Sequence, residues 1–224
     1  MTRDALHHRL ARLLTAEAAL ACHGLPGAIV VAAAACIAGP NLAAVLRLPE
    51  VRGAERRIVL PRKRVESLDG TPLLQLLRLA GAEPVEVEAP DELRAALAEG
   101  AAAALFLHGG VGSGEGSATL PELVWACRAE GVPALVACLG ETSPLPALDL
   151  GAALVVVDPT PLYGAEPAGL ILGEAVRVRC CALQERGLGA LFRLPEARLA
   201  ALVAAVERKA DDPASGLAVA VPGG

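Results

Sequence analysis

Lysine is nearly missing from this chain of 224 residues: only Lys63 and Lys209 occur. Any chemistry that forms a Schiff base from the middle of the chain is therefore restricted to Lys63. Aromatic side chains are as scarce, at 2% of the sequence: Phe106, Trp125, Tyr163 and Phe192. Platforms on which nucleic-acid bases could stack are correspondingly few. No basic run exceeds the three residues Arg62-Lys63-Arg64, and 25 acidic side chains against 20 basic ones give a net charge of -5, so nucleic acid is not expected as a partner. The longest apolar stretch, Gly27 to Ala38, is too short to span a bilayer, and no membrane association is expected. The opening Thr2-Arg3-Asp4 and the amphipathic pattern behind it do not make a signal peptide, and the expected location is the cytoplasm. The six cysteines, Cys22, Cys36, Cys127, Cys138, Cys180 and Cys181, contain no CxxC pair and read as buried, reduced thiols.

What is abundant is Ala, Leu and Val, within a hydrophobic share of 54%. Such a chain is not disordered and can bury about 70% of its extended surface. Apolar residues at helical spacing (Leu6, Leu10, Leu13, Leu14) predict a first helix, and Ala28 to Cys36 reads as a buried helix behind a Gly-Leu-Pro-Gly turn. Short apolar runs then alternate with helical ones. Strands are predicted at 58–60, 84–87, 102–107, 134–138, 154–157 and 169–172; helices at 72–80, 91–98, 119–130 and 196–209. Thr119 and Glu122 have the spacing of a capping box. Strands apolar on both faces and separated by helices predict an α/β fold, a mostly parallel sheet covered by helices. Residues 1–209 are read as a single α/β domain, and 210–224 as a polar, Pro/Gly-containing tail.

The candidate chemistry is sparse. The glycine run from Gly109 to Gly116 follows a strand, yet Glu115 stands where a phosphate loop needs Lys, and GxGxxG spacing does not occur. No GxSxG nucleophile elbow exists. His7 and His8 are neighbours on different helix faces with no ligand at i+4, so no metal site is expected. His23 and His108 sit at element ends beside glycines, where an α/β sheet presents its ligand crevice. Arg62 and Arg64, flanking Lys63 just past a strand, could bind an anion.

In order along the chain, Thr15 to Leu20, the Gly24 to Gly39 turn and Ala-rich helix, Arg47-Leu48-Pro49, Val59-Leu60-Pro61-Arg62 and Leu79 to Val87 resemble the fold type I pyridoxal-phosphate enzymes. The similarity continues through Glu130-Gly131-Val132-Pro133, Leu150 to Val156 and Glu166 to Gly173. The resemblance is to the branch of selenocysteine synthase (L-seryl-tRNA selenium transferase) and D-glucosaminate-6-phosphate ammonia-lyase, over roughly residues 5 to 209. It implies the large domain of a fold type I transferase. It also implies a lysine eight residues before Gly169, where this sequence has Pro161 with Thr160 adjacent. The family's aspartate for the pyridine nitrogen falls at Ala137-Cys138. The phosphate-holding turn corresponds to His23-Gly24-Leu25-Pro26-Gly27, where Pro26 removes one N–H, and Arg64 takes the place of a histidine. From the resemblance, the family's N-terminal segment and small domain are expected to have no counterpart here.

These departures lead to an expectation of a catalytically degenerate relative with no catalytic residues and no bound cofactor. It would act as a binding or assembly subunit, as a homo-oligomer or with an intact family member. Ligand-binding candidates are His23, Gly24, Gly27, Arg62, Arg64 and His108. One alternative is an active lyase or transferase acting on an amino acid or amino sugar, with pyridoxal phosphate bound and missing parts supplied by a partner. A second is a protein that binds a small phosphorylated ligand.

Overall fold

A computed structural model describes residues 2–52, 56–62, 67–109 and 117–212. Helix α1 (Arg3–Leu13) leads into strand β1 (Ala18–Cys22), the long helix α2 (Gly24–Ala38) and the short α3 (Leu42–Val45). Strand β2 (Arg57–Pro61) follows, then a small hairpin, β3 (Ser67–Leu68) and β4 (Thr71–Pro72). From there helices and strands alternate: α4 (Leu73–Leu79), β5 (Glu83–Val87), α5 (Pro90–Ala98), β6 (Ala103–His108), α6 (Leu120–Glu130) and β7 (Ala134–Cys138). The remainder is α7 (Leu145–Asp149), β8 (Leu154–Val157), α8 (Pro159–Tyr163), β9 (Gly169–Gly173), α9 (Ala175–Leu183) and α10 (Glu196–Ala210), with two 3-10 turns between the last two helices.

Seven strands form one sheet in the order β1-β9-β8-β7-β6-β2-β5. All neighbours from β8 to β5 are parallel, whereas β9 runs antiparallel to both β8 and β1. The carboxyl ends of the other six strands therefore share one edge of the sheet with the amino end of β9. One face carries α1, α5, α6 and α10 over a core that includes Phe106, Val136 and Leu170; the other carries α2, α4 and α9 over Leu105, Leu135 and Val156. Burial on both faces explains why these strands read as unbroken apolar runs. The fold is α/β and mostly parallel, as the alternation predicts.

The short α3, the β3–β4 hairpin and helices α7 to α9 have no counterpart in the sequence reading, and three further features differ from it. Helix α2 begins at Gly24, so the Gly-Leu-Pro-Gly segment is its first turn; Pro26 is tolerated there because a first-turn N–H has no intrahelical acceptor. Strand β1 was not anticipated, because Ala18-Ala19-Leu20-Ala21-Cys22 has none of the β-branched residues that mark strands. The antiparallel direction of β9 is set by its short connection through α8, which no periodicity reveals. The capping box is formed: Thr119 Oγ1 accepts from Glu122 N–H, and the Glu122 carboxylate accepts from Thr119 N–H at 2.8 Å.

Candidate functional site

In open α/β sheets the ligand crevice lies outside the carboxyl ends of the strands. From one side to the other, that edge here presents His23 after β1, Asp158 after β8, Cys138 ending β7, His108 ending β6 and Arg62 after β2. With neighbouring strands about 4.8 Å apart, His23 lies four spacings, about 19 Å, from His108. The sequence candidates thus share an edge and not a single site.

Each has its own partners. His23 caps α2 without a side-chain hydrogen bond to it; its Nδ1 instead faces the Arg198 guanidinium of α10 at 3.2 Å. Since arginine can only donate, Nδ1 is the acceptor and the proton of neutral His23 sits on Nε2. Arg198 also donates to the Pro167 carbonyl at 2.6 Å and to Glu166 at 3.2 Å, tying α10 to the loop before β9. His108 lies with its ring 6.4 Å from that of Phe106, tilted at 43°. Arg62 is exposed and pairs with Glu88 and, at 3.9 Å, with Glu86. Arg64, Lys63 and the glycine run from 110 to 116 lie outside the described residues. Gly109 has φ +88°, and a Cβ there would come within 2.0 Å of Thr142 Oγ1.

Gly27 is a packing glycine, whereas Gly24 is called for by its φ of +72°, a Cβ on it meeting only Pro26 Cδ at 3.6 Å. The Gly24 carbonyl lies against Gly169, where a Cβ would come within 2.2 Å of it, and a Cβ on Gly27 would meet Phe192 Cδ1 at 2.8 Å. The first turn of α2 thus packs against Phe192 at Gly27 and against β9 at the Gly24 carbonyl. Pro161 is the third residue of α8 and exposed. Thr160 N–H donates to Asp158 Oδ1 at 2.8 Å, while the Thr160 hydroxyl is enclosed and without a partner among the described residues. Ala137 is fully buried on the α2 face, and Cys138, the last residue of β7, on the opposite face. Burial pushes the Cys138 thiol up to about 12, so it carries no charge at neutral pH. Its Sγ donates weakly to the Ser143 carbonyl.

Two residues were missed by sequence reasoning. Asp158 follows β8 as the N-cap of α8, and Asp-Pro-Thr-Pro is an N-cap signature that could have flagged it. Arg198 had no local signal, because its partners are distant in sequence. Among the described residues no cluster of His, Cys, Asp or Glu could hold a metal, and no helix is long and apolar enough to cross a membrane.

This architecture is that of the large domain of fold type I pyridoxal-phosphate enzymes. Over 93% of this chain and 58% of the other, it matches D-glucosaminate-6-phosphate ammonia-lyase with a TM-score of 0.84 at 24% identity. A pyridoxal-5'-phosphate dependent protein from Escherichia coli matches at 0.66 and 17% identity over 96% and 53%. Cystathionine gamma synthase from Xanthomonas oryzae pv. oryzae matches at 0.67 and 20% over 93% and 51%. In sequence, the 5'-C-glycyluridine monooxygenase-decarboxylase of a Streptomyces species is 30% identical over 203 residues, 88% of this chain and 51% of that protein. The chain thus spans about half the length of the curated relative it matches. No protein-family model matches the sequence.

Among the described residues, those at the places the resemblance implies do not fit pyridoxal phosphate: Pro161 offers no amine, the neutral Cys138 ends the strand at which the resemblance implies an acid, and Pro26 supplies no N–H to the first turn of α2.

Proposed function

We propose that this chain is a degenerate member of the selenocysteine synthase and ammonia-lyase branch that serves as a non-catalytic binding or assembly subunit. The observation that carries the reading is Pro161 at the place of the cofactor lysine, in a chain with only two lysines. The uncharged Cys138 and the N–H that Pro26 withholds from the first turn of α2 support it independently.

Association through the large domain, with a second copy or an intact relative, is part of the proposal. Helix α3 packs on the 3-10 turn, where a Cβ on Gly187 would lie 3.0 Å from the Val45 carbonyl. Leu42 and Leu46, one helical turn apart on α3 and its C-cap, and Leu191 of the second 3-10 turn stand exposed. Large apolar side chains left in water support a protein partner as their cover.

The 30% identity to a monooxygenase-decarboxylase favours a second reading, a working enzyme of this fold completed by another chain. Titration of the purified chain with pyridoxal phosphate separates the two. Under the first reading there is no saturable shift in cofactor absorbance and no gain in melting temperature. A saturable, stabilising complex would replace it with the second.

A further inference from the structure

On the opposite edge of the sheet, where the parallel strands begin, lies a polar pocket of about 490 Å³. It lies at the C-terminal end of α2 and beside α3, and its lining includes Asn41, Arg47, Glu50, Arg52 and Arg56. Arg47 and Arg52 are exposed, and neither makes an ion pair among the described residues. Arg56 uses one arm on Glu83 at 2.8 Å, and its Nε is enclosed without a partner among the described residues. Asn41 accepts from Ala43 and Ala44 N–H through Oδ1, which leaves its amide NH2 as a donor. Among the described lining residues, guanidinium charge thus outweighs the carboxylate of Glu50, in a chain whose overall charge is negative.

We propose that this pocket binds a small phosphorylated molecule, with Arg47, Arg52 and Arg56 holding its phosphate oxygens and Asn41 supplying a further donor. Planar guanidinium groups match phosphate geometry by donating two parallel N–H bonds, and the volume suits a compact organic phosphate or diphosphate. Glu50, at the rim, sets a requirement on the ligand: its non-phosphate part must tolerate or use a carboxylate. The site is distinct from the carboxyl-edge crevice and independent of whether that crevice has kept any chemistry.

The test is calorimetric titration of the full chain with inorganic pyrophosphate at physiological salt, in wild type, Arg47→Gln/Arg52→Gln and Arg62→Gln. Both replaced residues of the double variant are exposed, and circular dichroism verifies that its fold is unchanged. The expected result is saturable one-site binding to wild type and to Arg62→Gln, weakened at least tenfold in the double variant. Wild-type binding that is absent or non-saturable would overturn the proposal. So would binding lost in Arg62→Gln but kept in the double variant, which would move the anion site to the crevice.

Discussion

Gly169, the first residue of β9, lies so close to the first turn of α2 that a Cβ on it would come within 2.2 Å of the Gly24 carbonyl oxygen and 2.8 Å of Ala28 Cβ. The atom in the way is backbone, so relief requires α2 to move from the sheet. Gly169→Ala is expected to destabilise the protein by about 1–3 kcal/mol, the usual range for overpacking. Urea unfolding measures it directly, with no change expected in the slope of the transition.

Gly27 and Phe192 give a sharper version of the same test. A Cβ on Gly27 would meet the Phe192 ring at 2.8 Å, so Gly27→Ala and Phe192→Ala are each expected to destabilise. The double variant should then be more stable than the sum of the two by about 1 kcal/mol or more, because removing the ring removes the clash. Strict additivity would show that the two do not touch.

His7 of α1 ties the outer edge of β1, its Nε2 accepting from Ala21 N–H at 3.4 Å. Burial, with help from Arg3, holds its pKa down to about 4 from 6.5. The unfolded chain thus takes up the proton first. His7 contributes stability that is fully present above pH 6.5 and is lost as pH falls toward 4. In His7→Gln that part of the pH dependence of unfolding should flatten.

Leu46 and Leu191, both mostly exposed, test association. Sedimentation of wild type is expected to show a dimer at micromolar concentration, and Leu46→Asp/Leu191→Asp a monomer of unchanged helix content. A wild-type monomer would remove the assembly part of the proposal.

The parallel sheet was legible because β6, β7 and β8 are buried on both faces and carry no polar interruption. The capping box was legible because its chemistry is local, three residues from Thr119 to Glu122. Strand β1 was not, since alanine favours helices and is depleted in strands, and only the pairing with β9 overrides that preference. The packing of Gly27 on Phe192 and the contact of His23 with Arg198 join residues far apart in sequence, and no spacing rule encodes them. Pro161 was legible only through the resemblance: a proline in the first turn of α8 is unremarkable to any local rule, and its meaning comes from the lysine implied in its place.

The measurement that tests the central claim most directly is borohydride trapping with pyridoxal phosphate, followed by peptide mass mapping, on wild type and on Pro161→Lys. If the loss were confined to the lysine, the variant would bind the cofactor covalently and turn over an amino-acid substrate. With Cys138 uncharged and Pro26 supplying no N–H to the first turn of α2, the account predicts no stoichiometric adduct at residue 161 and no turnover in either protein. A stoichiometric reducible adduct at residue 161 with substrate turnover would contradict it, as would one at Lys63 in wild type.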